Sequence, residues 1–328
     1  MLISKSDEEL SKACRVRFFE KGYAPWAYWE SERTGFGKLF RRRSFFPPIL
    51  PLMVSSDHYV DPLVSRRANE FDCKAYAYLT WNKRKADLLS ASGINALHVQ
   101  HPWLREIKKM RRIRSEIQPN GTLVFWPHSH GTLTQDINVA EFFDELTALG
   151  PEYEPFTICL SSHDVERDLH KDLRHLGLPI VTAGAITSQR FPDDFLNLLV
   201  RFSYTAGPHS SSHTFYSLAM GIPFRLVAQQ SFRYRRRDAG GKAGDVYDQI
   251  AEDYPDLTDR ETIYAFHAEL KKHHESLPDR LHDFAYDQMG GNSTTSRRDF
   301  TLVIWKALIH DCRRVIPLYL RKFRKSAT

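Results

Sequence analysis

A regular alternation of apolar runs and helical segments between residues 122 and 229 constrains the fold of this chain more than any other feature. Five short apolar runs predict strands, and the four amphipathic segments between them predict helices. Strands that alternate with helices in this way are typical of βαβ units. We therefore predict an α/β fold with a doubly wound parallel sheet. The five strand segments are TLVFWPHSHG, PFTICLSSHD, LPIVTAG, SYTAG and IPFRLVAQ.

A shorter version of the same alternation precedes this region. The runs ILPLMVSSDHY, CKAYAYLTW and INALHVQHPWL predict strands, and NKRKADLLSASG predicts a helix that Gly93 closes. Residues 6–21 predict a first helix capped by Ser6 or Asp7. The turn QPNG marks a domain boundary. We expect two Rossmann-like domains that face a cleft, residues 1–118 and residues 119–328, with further helices at the C-terminal end.

The composition of the chain indicates which class of partner it favours and in which cellular compartment it is expected. The 328 residues are 42% hydrophobic, enough for a large core, and the net charge of +6 favours an anionic partner such as a nucleotide, a nucleic acid or a membrane surface. The four cysteines form no C-x-x-C pair, so we expect reduced thiols and a cytoplasmic location. No run approaches the roughly 20 apolar residues of a membrane span. The sequence therefore predicts a soluble or peripheral protein.

Polar residues follow four of the five predicted strands. In an open parallel sheet the carboxyl ends of the strands share one edge, where ligands bind beside the point at which strand order reverses. We therefore expect these residues to form a shared site. They are Pro127–His130, Ser161–Asp164, Thr182–Gly184 and Gly207–Ser210.

The segment from Gly207 to Thr214 carries small residues, hydroxyls and two histidines at the start of a predicted helix. Helix N-termini present N–H groups and partial positive charge, which suits a phosphate. The alternative interpretation is simple capping of a surface helix. Neither a P-loop nor a G-x-G-x-x-G pattern is present.

Three other places carry histidine beside a predicted strand end. His128 and His130 could donate to a diphosphate or, less directly, bind a metal, although no acidic or cysteine partner has ligand spacing. Asp57 and His58 could act as a general base on a hydroxyl, or form an ordinary turn. His101 either lines the cleft or ends its strand.

The alternation of predicted strands and helices ends in the C-terminal third of the chain. SFRYRRRDAGGKAGD predicts a mobile basic loop, and TDRE at residues 258–261 predicts a capping box that opens a helix to about Ser276. FTLVIWKALIHDCRRVIPLYLRKFRK predicts an amphipathic basic helical segment, broken near Pro317. That segment could contact anionic lipid, or pack on the protein with a solvated basic face.

Taken together, residues 50–230 resemble the GT-B class of nucleotide-sugar-dependent glycosyltransferases, and look most like the type that builds bacterial surface polysaccharides. The similarity rests on SSDHY, LLSASGINALHVQHPWL, TLVFWPHSHGT and the region from PIVTAG to GIPFRLV. One departure is that the segment Ser212–Met220 contains no acid, where many such enzymes carry a glutamate that binds ribose.

The resemblance implies a role for each matching residue. It implies a nucleotide-sugar donor held against the second domain, a saccharide or lipid-linked acceptor against the first, and no metal or other cofactor. Asp57, with His58, would be the base, and His128 and His130 would stabilise the leaving phosphate. Thr182, Ala183 and Gly184 would border the nucleoside. The donor phosphates would be held by His209, Ser210, Ser211, Ser212, His213 and Thr214.

Other functions stay open at this point. An enzyme of the same architecture could instead epimerise or hydrolyse the nucleotide-sugar, and a chain of this kind could bind a ligand without catalysis. A nucleic-acid-binding protein is the remaining alternative, but the basic residues are dispersed and the net charge is modest. We therefore do not expect nucleic acid as a partner. Peripheral contact with an anionic membrane is compatible with the basic C-terminal segment.

Overall fold

The computed structural model describes residues 5–15, 54–56, 76–127, 133–186, 188, 190–229, 232–236, 260–296 and most positions of 298–310. Its strands are β1 Val54–Ser56, β2 Ala77–Thr80, β3 Ala96–His98, β4 Thr122–Phe125, β5 Leu133–Ile137, β6 Phe156–Leu160, β7 Ile180–Thr182, β8 Tyr204–Gly207, β9 Phe224–Leu226 and β10 Phe232–Arg236. Its helices are α1 Asp7–Cys14, α2 Lys83–Ala91, α3 Leu104–Ser115, α4 Val139–Thr147, α5 Ser162–Glu166, α6 Leu169–Leu173, α7 Phe191–Leu199, α8 Ser212–Met220, α9 Arg260–Leu270 and α10 Asp279–Gln288.

The larger sheet has five strands in the order β7-β6-β4-β8-β9, and every neighbouring pair is parallel. Its central strands β4 and β6 are buried along their whole length. Parallel strands that are covered on both faces consist mostly of apolar residues, which explains why β4 and β6 could be predicted from the sequence. The five strands and the helices between them confirm a doubly wound, Rossmann-like α/β arrangement.

A second parallel sheet lies earlier in the chain, in the order β1-β2-β3. The helix α2 between β2 and β3 is capped by Asn82, whose side chain accepts a hydrogen bond from the Lys85 N–H at 3.1 Å. Apolar residues beyond β2 and β3, Trp81 and Trp103, belong to the same buried cluster as Leu123 and Phe215 of the larger sheet and its helices. The division of the chain at residue 118 stays a prediction.

Helix α8 lies at the centre of that buried cluster. Every residue from Thr214 to Met220 is buried, and the helix packs against α3 and α10. Its Tyr216 hydroxyl lies 3.3 Å from Nε2 of His101, whose Nδ1 accepts the Trp103 N–H at 3.1 Å. Burial lowers the pKa of His101 to about 3, so the ring is neutral. His101 therefore has a structural position next to α8.

The N-terminal helix α1 packs on the β7 edge of the larger sheet. Ser6 caps its start, one of the two predicted caps, and forms a capping box with Glu9. Just before the helix, the Lys5 N–H donates to the Ile180 carbonyl at 3.1 Å, and Asp7 pairs with Arg174 at 2.9 Å. The helix ends at Cys14 and not at residue 21, because Arg15 is extended.

Three other local predictions differ from the structure. Phe232–Arg236 is a strand, β10, and not part of a loop; it pairs antiparallel with β5, which the sequence analysis did not predict. The amphipathic segment INVAEFFDELTAL, predicted to be one helix, is helical only from Val139, since its first residue, Ile137, ends β5. The segment VERDLHKDLRHLG, also predicted to be one helix, is broken into parts of α5, α6 and a 3₁₀ turn, since Asp168 has a left-handed φ of 61°.

Two cysteines of the described chain, Cys14 and Cys159, are buried free thiols. Within the described residues no helix has both the length and the apolar character needed to cross a bilayer. The same part of the chain holds no group of three or more His, Cys, Asp or Glu side chains arranged to bind a metal ion.

Candidate functional site at the β4–β8 edge

The order of the larger sheet places a switch point between β4 and β8. From β4 the chain moves outward through β6 to β7, then returns to the other side of β4 and continues through β8 to β9. The connections that leave β4 and β8 therefore run in opposite directions, which opens a crevice at the carboxyl ends of these two strands. Trp126 and Pro127 follow β4, and Pro208–Ser211 connect β8 to the first turn of α8. Of these residues Ser211 is partly exposed and the others are buried.

The crevice end of α8 carries three partly exposed residues, Ser211, Ser212 and His213. The Ser211 N–H donates to Thr214 Oγ1 at 3.2 Å, which ties the turn to the helix. The Ser211 hydroxyl lies 2.7 Å from Nδ1 of His213. This geometry caps the helix and places the Ser211 hydroxyl at its positive end, while the His213 ring has Nδ1 beside that hydroxyl and Nε2 buried.

His213 reaches across the switch point to the neighbouring strand. Its ring stacks on Phe125 at the end of β4, with the ring centroids 4.4 Å apart. Gly207, at the end of β8, makes this approach possible. A Cβ at residue 207 would lie 3.2 Å from the Phe125 carbonyl oxygen and 3.8 Å from Nε2 of His213. The His213 ring therefore lies next to the ends of both strands, which pair side by side.

Ser210, predicted to hold phosphate, is fully buried and its hydroxyl points away from solvent. Its Oγ lies 2.8 Å from Nε2 of His267 on α9, and Nε2 of Gln229 lies 3.3 Å from Nδ1 of the same ring. An amide nitrogen can only donate, so Nδ1 accepts and Nε2–H donates to Ser210. Burial lowers the pKa of His267 to about 4, which keeps the ring neutral and fits this arrangement.

His209 and Thr214 are buried as well. The His209 ring meets the His213 ring edge-on, with centroids 5.4 Å apart. Six residues were predicted to hold the phosphates. Ser211, Ser212 and His213 are partly exposed at the start of α8, and the other three are buried beneath them. His267 and Gln229 could not be predicted as neighbours of Ser210, since they follow it by 57 and 19 positions and carry no local motif.

Thr182 and Gly184, predicted to border the nucleoside, lie at the β7 end of the same edge beneath α1. The Thr182 carbonyl accepts from Lys5 Nζ at 3.2 Å, and its Oγ1 accepts the Gly184 N–H at 3.1 Å. Gly184 has a φ of 87°, and a Cβ there would lie 2.9 Å from the Ala13 carbonyl oxygen. Three strand spacings, about 14 Å, separate β7 from β8, so the structure does not bring these residues into contact with α8.

The remaining predicted site residues lie outside the described residues. These are Asp57 and His58, which follow β1, and His128 and His130, which follow Pro127. The polar residues that follow β6 lie within the described part of the chain. There Ser161 caps α5, and its hydroxyl donates to Asp164 at 2.6 Å. Ser161–Asp164 thus serves as a helix cap at the same edge of the sheet.

The fold and this edge define the class as an α/β protein whose parallel, doubly wound sheet is Rossmann-like. No family model matches the sequence, and no curated protein matches it either. Among solved structures, the chain is similar to the wall teichoic acid polymerase TagF at 12% identity, with a TM-score of 0.39. The match covers 80% of this chain and 68% of that one.

Proposed function

We propose that the protein is a glycosyltransferase of GT-B type, which moves a sugar from a nucleotide-sugar to a hydroxyl of a saccharide or lipid-linked acceptor without a metal. The observation that carries the proposal is the convergence at the β4–β8 switch point. There Ser211, Ser212 and His213 stand at the positive end of a buried helix. A crevice of this kind suits the diphosphate of a nucleotide.

The roles within the site follow from what each residue can donate. Ser211 and Ser212 supply hydroxyls to a phosphate, and the first turn of α8 supplies backbone N–H groups. His213 orients the Ser211 hydroxyl, because its ring stacks on Phe125 and its Nδ1 lies 2.7 Å from Ser211 Oγ. We assign Ser210 and His267 to the support of this turn, because both are buried beneath it. Asp57 is the proposed base, with His128 and His130 on the leaving phosphate.

A panel of UDP, GDP, CMP, ADP and dTDP tests the donor site by thermal shift. At a ligand concentration 100 times its Kd, binding stabilises the native state by about 2.7 kcal/mol, which a melting curve resolves. We expect one nucleotide to raise the melting temperature selectively. If none does so at millimolar concentration, the proposal is wrong.

A matched pair of variants at Ser212 localises the site. Ser212→Asp puts a carboxylate on the first helical residue, which favours the helix dipole but repels a phosphate. We expect it to keep the melting temperature of the free protein and to lose the nucleotide shift. Ser212→Asn, of similar size and without charge, should retain most of that shift. Equal shifts in both variants would place the phosphate elsewhere.

Product analysis by mass spectrometry then separates the reactions. Transfer places the sugar on an acceptor, hydrolysis releases it to water, and epimerisation leaves it on the nucleotide with a changed configuration. We expect Asp57→Asn to abolish transfer and to leave the thermal shift intact. Undiminished transfer in Asp57→Asn would remove this residue from the role of base.

A further inference from the structure

A helix near the end of the described chain presents an apolar stripe to solvent. The described positions of 298–310 are helical, and Ser296 caps the start of this helix: its hydroxyl donates to Asp299 at 2.6 Å and accepts the Asp299 N–H at 3.1 Å. Leu302, Trp305 and Ile309 are 50%, 54% and 50% exposed. We call these three residues the apolar stripe.

The spacing of the apolar stripe places it on one side of the helix. Positions i, i+3 and i+7 share one face of an α-helix. Ala307, on the opposite side, is fully buried, and Val303 is partly buried. Among its described residues the helix thus buries Ala307, partly buries Phe300 and Val303, and exposes the apolar stripe. Adjacent exposed apolar side chains of this size mark an interaction surface.

The charge around the apolar stripe is basic. Arg298 and Lys306 are exposed on the same helix: Arg298 lies one turn before Leu302 on the face of the stripe, and Lys306 lies beside it. The carboxylate of Asp299 is held by the cap, where hydrogen bonds from Ser296 lower its pKa. The sequence that follows residue 310 contains one acid, Asp311, against six bases. The six are Arg313, Arg314, Arg321, Lys322, Arg324 and Lys325.

We infer that the apolar stripe docks on an anionic bilayer surface, with Trp305 at the level of the headgroups and Arg298 and Lys306 over acidic lipids. Tryptophan has an apolar ring and a polar N–H, which suits the boundary between headgroups and acyl chains. A helix with an apolar face and flanking Lys and Arg lies in that plane. The basic charge selects a membrane over a second copy of the chain, since two such helices would repel each other. This inference does not depend on the proposed sugar transfer.

Liposome flotation of the full chain tests the inference. We expect binding to vesicles of phosphatidylcholine with about 30% phosphatidylglycerol, weak binding to phosphatidylcholine alone, and a loss of binding in about 0.5 M salt. Leu302→Ser combined with Trp305→Ser should weaken binding to the acidic vesicles by about tenfold or more, because apolar area no longer enters the acyl boundary. Tyr264→Ser is the matched control, since Tyr264 is an aromatic residue 58% exposed on α9. It should bind as the wild type does.

A second measurement covers the case in which the double variant folds poorly. Brominated phosphatidylcholine in acidic vesicles should quench part of the tryptophan emission of the wild type, and that part should vanish in Trp305→Phe while flotation persists. The inference is wrong if the wild type does not float, if the double variant floats equally well, or if Trp305→Phe is quenched as the wild type is. It is also wrong if the double variant only converts a dimer to a monomer in sedimentation velocity.

Discussion

Acid should destabilise this protein through a histidine that must stay neutral. His267 is 7% exposed beneath the first turn of α8, and burial lowers its pKa from 6.5 to about 4. The unfolded chain therefore binds more protons than the native state between these two pKa values. The stabilisation that His267 gives as a neutral group is complete above pH 6.5 and is lost progressively as the pH falls towards 4.

The size of the loss follows from the two pKa values. Linkage gives about 2 kcal/mol of lost unfolding free energy for His267 alone between pH 7.5 and pH 5.0. His101 adds a similar amount, since burial lowers its pKa to about 3. We expect urea unfolding of the wild type to show a drop of about 4 kcal/mol over this interval from the two rings together.

The substitution His267→Gln isolates one of the two contributions. Glutamine does not titrate, so the variant should be less stable at pH 7.5 and should lose about 2 kcal/mol less than the wild type on going to pH 5.0. Tyr264→Gln, at an exposed site on the same helix, should keep the full pH dependence. If His267→Gln and the wild type lose the same free energy, the neutral buried ring is not the cause.

Two further predictions concern the other end of the sheet edge and the core. Gly184→Ala should lower the unfolding free energy by about 1–3 kcal/mol, because φ is 87° there and the added Cβ would lie 2.9 Å from the Ala13 carbonyl oxygen. Faster amide hydrogen exchange in α1 would show this destabilisation, and unchanged exchange would contradict the prediction. Burial raises the pKa of Cys159 to about 12, so this thiol should resist iodoacetamide at pH 8 in the native protein and react after denaturation. Peptide mapping by mass spectrometry reads the label, and native labelling at the rate of an exposed thiol would refute the expectation.

The strands of both parallel sheets were predictable because their signal is local. β4 and β6 are covered on both faces and so consist of apolar residues throughout. The cap of α1 was visible for the same reason, since Ser6 and Glu9 interact over three positions. Strands β5 and β10 gave no such signal: LTQDI and FRYRR mix polar and charged residues, and their pairing joins segments about 100 positions apart.

The candidate site also contains features with a local sequence signal and features that depend on distant residues. A helix start rich in serine could be predicted at Ser211, and the order of the strands placed it at a sheet edge. The inward turn of Ser210 could not be predicted, because its partner His267 lies on α9, 57 positions later. Likewise, nothing near Gly184 in the sequence indicates that Ala13 would lie against it.

The burial of α8 has a mechanical consequence. A helix enclosed by α3, α10 and the sheet cannot adjust one turn at a time, because close-packed interiors resist local deformation. The packed helix connects its first turn at Ser212 to Tyr216, whose hydroxyl lies 3.3 Å from His101, beyond the end of β3. A ligand that displaced the first turn of α8 would therefore also displace the contact between Tyr216 and His101.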